Sequence, residues 1–159
     1  MPDIVYARDK IIALTYSEVL PGKFDSREAT VLLLAIGLQE SRFLHRQQVG
    51  GPARSFWQFE RGGGIRGVLT HEATARHAHA LCVLRGIVPT AESVYARMLD
   101  DDLLGCGFAR LLLYSDPASL PPLGHAQAAW DYYIRTWRPG RPHRASWNGL
   151  YEQAMKALA

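Results

Sequence analysis

The chain has 159 residues, of which 48% are hydrophobic and 21% are charged, and 18 Lys and Arg against 15 Asp and Glu give a net charge of +3. This length suits one domain over residues 1–159, and the balanced composition excludes a disordered, collagen-like or repeat protein. The longest apolar run, residues 31–38, is much shorter than the roughly 20 residues of a membrane-spanning helix, so we expect no membrane span.

Apolar spacing and capping residues predict a succession of helices. The first is expected over residues 4–20, where Pro21 ends it, and the second over residues 25–42, where Asp25 and Glu28 resemble a capping box. Further helices are predicted over residues 70–86 with Thr70 as cap, 90–99 with Thr90 as cap, 103–114, 123–137, and from Ser146 onward.

The segment from Val49 to Gly67 interrupts this helical pattern. It contains seven glycines or prolines in 19 positions, which predicts turns or a short, irregular hairpin. In the helix predicted over residues 103–114, Gly105 and Gly107 indicate close packing against a neighbour. The predicted fold class is therefore all-α, a helical bundle with one glycine-rich loop or small hairpin after the second helix.

Glu40 lies near the end of the second predicted helix, on the same stripe as Leu33 and Ile36. Burial and the negative end of the helix dipole both disfavour a charged carboxyl, so we expect a raised pKa for Glu40. A protonated glutamic acid in a cleft can donate its proton to a glycosidic oxygen. The same position also fits a solvated helix end, paired with Arg42 or Arg46.

Three segments carry a resemblance to a known family. Residues 35–43, Ala-Ile-Gly-Leu-Gln-Glu-Ser-Arg-Phe, resemble the Glu-Ser motif of lytic transglycosylases and goose-type lysozymes. Residues 51–59, Gly-Pro-Ala-Arg-Ser-Phe-Trp-Gln-Phe, are similar to the second motif of that family, a turn leading into Leu-Trp/Met-Gln. Residues 109–115 lie where the family has a helix ending in Ala-Tyr-Asn; Tyr114 matches, and Ser115 replaces the asparagine.

The resemblance implies a lysozyme-like helical bundle that cleaves the MurNAc-GlcNAc bond of peptidoglycan glycan strands. It implies that Glu40 is the general acid and base, that Gln58 lines the sugar groove, and that Phe56 and Trp57 form its walls. The full set of substrate-binding residues that it implies is Ser41, Phe56, Trp57, Gln58, Tyr114 and Tyr133.

The resemblance also implies a bacterial or phage origin. The first residues lack the basic and apolar regions of a secretory signal. We therefore expect synthesis in the cytoplasm and action in the periplasm or at the cell wall, either as a lysis enzyme or as a phage virion component that contacts tail proteins.

A second carboxylate distinguishes the two reaction types. A hydrolase needs one as nucleophile or to activate water, whereas a transglycosylase can use the 6-hydroxyl or acetamido group of its substrate. Glu60 is the candidate, because it follows Gln58 by two residues. Loop carboxylates are usually exposed, so we expect Glu60 to balance Arg54 or Arg61, and we favour a mechanism with one glutamate.

Other titratable groups are expected to be structural. The acidic run Asp100–Asp102 is typical of a solvated helix start, and the spacing of His71, His77 and His79 does not gather three imidazoles at a metal. We expect no metal and no cofactor. Cys82 and Cys106, in apolar contexts, are expected to be buried free thiols.

Two further interpretations stay open. The chain can be a catalytically inactive lysozyme-like module that serves as a structural or binding part of a phage particle, for which Ser115 is the motivation. Alternatively, the basic segment Arg138–Arg144 can bind nucleic acid, with Trp137 and Trp147 available for stacking. Basic segments broken by prolines are usually solvated connectors, so we do not expect nucleic acid to be the partner.

Overall fold

The computed structural model describes residues 3–158, which form an all-helical structure without a strand. No helix in this range is long and apolar enough to cross a membrane. Its eight helices are α1 (Ile4–Tyr6, the π-helical Ala7–Ile12 and Ala13–Glu18), α2 (Arg27–Ser41), α3 (Arg66–Thr70), α4 (Ala75–Leu84), α5 (Ala91–Arg97), α6 (Asp102–Ser115), α7 (Ala126–Trp137) and α8 (Arg144–Leu158). The predicted all-α class is confirmed.

Helix α2 lies at the centre of the core, because it is apolar on nearly every face. All residues from 31 to 38 are buried, and the helix packs most extensively against α8. Its N-terminus is capped by Ser26, whose hydroxyl accepts the Ala29 N–H at 3.1 Å. The predicted cap at Asp25 is therefore wrong by one residue.

Helix α6 is the second largely buried helix, and ion pairs hold its start. Asp101 caps the helix and pairs with Arg85 at 2.9 Å, and Asp102 pairs with Arg46 at 2.8 Å. Asp101 is 7% exposed, and only Asp100 is freely solvated. The expectation that this acidic run is a solvated helix start is thus wrong for two of its three residues.

Close packing of α6 follows from its small residues. A Cβ atom at Gly107 would overlap the side chain of Leu81 on α4, so any larger residue would require Leu81 to move. The predicted close contact is confirmed. Cys82 and Cys106 are buried and free, as expected, and burial raises the pKa of the Cys82 thiol to about 11 and that of Cys106 to about 12.

The segment between α2 and α3 combines bridged turns with a helical turn that the sequence did not predict. Two isolated antiparallel bridges, Gln47 with Arg54 and Arg54 with Phe59, fold the chain back on itself. The glycines that follow lie in a π-helical turn, Arg61–Ile65, which leads into α3. Thr70 ends α3 rather than capping the next helix, because its hydroxyl donates back into α3.

Candidate active site

Glu40 lies one residue before the end of α2 and borders a groove. Leu33 and Ile36, on the same stripe of the helix, are completely buried, whereas Glu40 is partly buried. Burial raises the pKa of the Glu40 carboxyl above its ordinary value, and this effect exceeds the opposing one of a hydrogen bond from Tyr133. The raised pKa of Glu40 agrees in direction with the pKa shift expected from its position beside Leu33 and Ile36.

Tyr133 of α7 holds the Glu40 carboxyl in place. Its hydroxyl donates a hydrogen bond to Glu40 Oε2. The Tyr133 ring is buried and stacks on Trp147 of α8, with ring centroids 5.3 Å apart and an interplanar angle of 2°. Within residues 3–158, Glu40 Oε1 has no hydrogen-bond partner, so Tyr133 fixes one oxygen of a carboxyl that lines the groove and leaves the other unpaired.

Four residues in the left-handed backbone region surround the end of α2. Arg42 and Phe43, directly after the helix, have φ angles of 57° and 56°, and Ser55 and Gln58 have φ angles of 67° and 57°. This conformation is costly for residues other than glycine. Such residues cluster at functional sites, so their grouping beside Glu40 favours a functional role for this region.

Ser41 joins the turn at residues 55–58 to the end of α2. Its hydroxyl donates to the Phe56 carbonyl at 2.7 Å and accepts the Phe43 N–H at 3.2 Å. Ser41 is only 7% exposed, and its hydroxyl is used within the protein. Ser41 also lines the Glu40 cavity, so the structure gives it a positioning role at the groove, and the substrate contact that the resemblance implies stays a prediction.

Phe56 and Trp57 do not form the walls of the groove. They are 1% and 0% exposed, and both pack edge to face on Phe43. The Trp57 indole N–H donates to the Leu33 carbonyl at 2.8 Å. The expectation that these two rings contact a sugar is wrong, because side chains buried in the core do not reach a bound polymer. They anchor the turn that carries Gln58.

The groove consists of two adjoining cavities. The first, of about 640 Å³, is lined by Glu40 and Tyr133, and the second, of about 600 Å³, extends along the end of α7. Both are lined by Gln58, Glu60, Trp137 and Arg138. A polymer that crosses from one cavity to the other would therefore pass Gln58 and Glu60.

Glu60 is exposed, as expected, but it faces the groove. Arg54, one of its expected partners, donates instead to Gln47 Oε1 at 3.0 Å and to the Tyr95 carbonyl at 3.1 Å. Glu60 is thus a second carboxylate on the same groove as Glu40.

Tyr114 lies apart from Glu40. Its ring packs edge to face on Phe24, in the 3₁₀ turn before α2, and on His77 of α4. Its hydroxyl accepts a hydrogen bond from Lys23 Nζ at 3.0 Å. Tyr114 lines a different cavity from Glu40, so the structure does not bring it into the candidate site.

Three groove residues were missed by sequence reasoning. Gln39 donates to the His143 carbonyl at 3.0 Å, Trp137 donates to the Trp57 carbonyl at 3.0 Å, and His45 lines the Glu40 cavity. Trp137 follows Tyr133 by four residues on α7, so helical spacing places both on one face. No sequence signal indicates His45.

The basic segment Arg138–Arg144 and the neighbouring Arg135 and Trp147 are partly engaged in contacts within the protein. Trp147 is 0% exposed, so it is not available to stack on a nucleic-acid base, as the alternative interpretation requires. Arg135 and Arg144 are bonded to neighbouring side chains, whereas the exposed Arg138 and Arg141 line the groove.

Within residues 3–158, no group of three or more His, Cys, Asp or Glu is placed to hold a metal ion.

Replacing Tyr133 with phenylalanine is expected to raise the pKa of Glu40 further. The hydrogen bond from Tyr133 stabilises the ionised carboxylate, so its loss favours the protonated form. The shift is measurable by ¹³C NMR titration of the side-chain carboxyl. Tyr132→Phe is the matched control, because the Tyr132 hydroxyl donates to the Leu113 carbonyl and not to Glu40. An unchanged Glu40 pKa in Tyr133→Phe would contradict this account.

Comparisons with known proteins do not place the chain in a family. The likeness to lytic transglycosylases rests on the motifs at residues 35–43 and 51–59. No protein-family model, curated protein or solved structure matches the chain.

Proposed function

We propose that the chain cleaves the MurNAc-GlcNAc glycosidic bond of peptidoglycan, with Glu40 as general acid and then general base. The observation that carries this proposal is the Glu40 carboxyl itself, which borders a groove, has a raised pKa, and is held at one oxygen by Tyr133. A carboxyl with a raised pKa retains its proton closer to neutral pH, as a general acid must.

The first step is proton transfer from Glu40 Oε1 to the glycosidic oxygen. The bond from C1 of MurNAc to that oxygen breaks, its electron pair leaves with the oxygen, and positive charge develops at C1. The 6-hydroxyl oxygen of the same sugar then bonds to C1, while its proton returns to Glu40. The products are a free GlcNAc hydroxyl and a 1,6-anhydro sugar, and Glu40 is again protonated.

Hydrolysis is the second candidate reaction, and the position of Glu60 favours it. Glu60 lines the same cavity as Glu40, where a carboxylate can activate a water molecule. In that reaction water replaces the 6-hydroxyl as the attacking group, and the new chain end is a reducing sugar.

Mass spectrometry of digested, purified peptidoglycan tests the proposal and separates the two reactions. The transglycosylase reaction gives 1,6-anhydro products, each lighter by one water than the hydrolysis product, and Glu60→Gln retains the wild-type rate. Reducing ends together with an inactive Glu60→Gln variant would overturn the mechanism with one glutamate. Intact glycan after treatment with wild-type protein would overturn both reactions.

The substrate sets where the protein acts. A peptidoglycan-cleaving activity requires access to the periplasm or the cell wall, and we propose that the chain reaches it as a lysis enzyme or as part of a phage particle. The exposed cations Arg138 and Arg141 on the groove suit the negative charges of a cell-wall polymer.

A further inference from the structure

We propose that the guanidinium of Arg110, on α6, is a binding site for a small carboxylate ligand with an apolar body. The site lies in a cavity separate from that of Glu40, and the inference does not rest on the proposed glycosidase activity. It follows from a buried cation without a counter-charge, from the cavity beside it, and from the chemistry of the residues that line this cavity.

Arg110 is an unusually buried charged residue, with 4% of its surface exposed. Its Nε donates to the Phe24 carbonyl at 2.8 Å, and its Cζ lies 5.5 Å from the centre of the Phe24 ring. Its Nη1 is buried and has no hydrogen-bond partner within the described residues 3–158. A buried donor without a partner is costly, which favours an external acceptor at this position.

No carboxylate offsets the charge of Arg110. The groups that act on it electrostatically are Tyr16, Tyr132, Tyr114 and Cys106, and tyrosine and cysteine side chains are ordinarily neutral at pH 7. Across the part of the chain that the structure describes, Arg110 forms no ion pair. Burial lowers its pKa, but arginine remains protonated in proteins, so the positive charge is present and uncompensated.

A cavity of about 510 Å³ adjoins the Arg110 guanidinium. A cavity of this volume is large enough for a small molecule. Arg110 lines it together with the apolar side chains of Leu113 and Leu120. A planar guanidinium suits a carboxylate, which it can bind through two parallel hydrogen bonds. The apolar side chains suit a hydrocarbon or aromatic body on the same ligand.

The other charges of the cavity favour a carboxylate over a phosphate. Glu72 and Asp116 also line it, and Asp116 is paired with Arg135. Negative charges within the cavity repel a doubly charged phosphate more strongly than a singly charged carboxylate. The charges that line the cavity thus favour a singly charged anion.

NMR of arginine side chains tests the site in the full chain. Benzoate is titrated at constant ionic strength while the Nε–H signals are followed in ¹H–¹⁵N correlation spectra. We expect a saturable shift of the Arg110 signal, with weaker binding of acetate, which lacks the apolar body, and of inorganic phosphate. The signal of Arg46, which is paired with Asp102, is the internal control and is expected to stay in place.

Two variants make the result decisive. Arg110→Lys identifies the signal and is expected to weaken benzoate binding about tenfold or more, because lysine cannot form the paired hydrogen bonds. Glu72→Gln changes an exposed residue and is expected to strengthen phosphate binding more than benzoate binding. Parallel shifts of all arginine signals, or no saturable shift of the Arg110 signal, would overturn the site. Tighter binding of phosphate than of benzoate would overturn the carboxylate assignment.

Discussion

Replacement of Glu40 by glutamine is expected to lower the rate of peptidoglycan cleavage by about 10²- to 10⁴-fold, the usual contribution of a general acid or base. The amide has nearly the same shape and still accepts the hydrogen bond from Tyr133, but it cannot give a proton to the glycosidic oxygen. The measurement is the release of soluble fragments from purified peptidoglycan, with Glu28→Gln, at the other end of α2, as the matched control. Cleavage by Glu40→Gln at the wild-type rate would exclude Glu40 as the acid.

The same variant is expected to change how stability depends on pH. Because the folded-state pKa of Glu40 is raised above its ordinary value of 4.5, the folded protein binds this proton more tightly than the unfolded chain. The stabilisation is complete below the ordinary pKa and is lost as the pH rises through the raised one. Glutamine does not titrate, so the free energy of unfolding of Glu40→Gln should fall less than that of the wild type over this range. If the free energies of unfolding of Glu40→Gln and of the wild type changed in parallel with pH, the raised pKa of Glu40 would be contradicted.

Replacement of Trp57 by alanine is expected to lower the free energy of unfolding by about 3–5 kcal/mol. The ring is 0% exposed, and its indole N–H bonds the Leu33 carbonyl, so the change removes core packing and a buried hydrogen bond. The backbone carbonyl of Trp57 also accepts the indole N–H of Trp137, which lines the groove. A shift of the backbone at Trp57 should therefore change the position of Trp137 as well. Urea unfolding measures the loss of stability.

Two controls separate the packing contribution from other effects of the Trp57 change. Trp57→Phe keeps an aromatic ring in the core and is expected to cost less than Trp57→Ala. Trp137→Ala removes a partly exposed indole and should also cost less. If Trp57→Ala were no more destabilising than Trp137→Ala, Trp57 would not be the core anchor of the turn.

The central helix and the environment of Glu40 were predictable because local signals determine them. A long apolar run, a polar N-terminal cap and helical spacing suffice to place Glu40 near the end of α2, beside Leu33 and Ile36. The predicted N-cap of α2, Asp25, differs from the observed one, Ser26, by one residue. Both are favourable capping residues, and helical spacing alone does not choose between them.

The burial of Phe56 and Trp57 was not predictable from local sequence. Two aromatic residues after a glycine- and proline-rich segment suggest an exposed loop. Their depth depends on Phe43 and on the Leu33 carbonyl, which are distant in the chain. Long-range partners of this kind leave no periodic signal in the sequence.

Charged residues show the same dependence on distant partners. Asp101 is buried because Arg85 pairs with it, 16 positions away, whereas Arg110 is buried without such a partner. Composition and spacing give no indication of either outcome. Tyr133 was found through the resemblance, and its hydrogen bond to Glu40 is visible only in the folded chain.

The hydrogen bond from Tyr133 makes the two oxygens of the Glu40 carboxyl inequivalent. Oε2 is occupied as an acceptor, so an acidic proton resides on Oε1. In the proposed reaction, the sugar strand must then present its glycosidic oxygen to one side of the carboxyl.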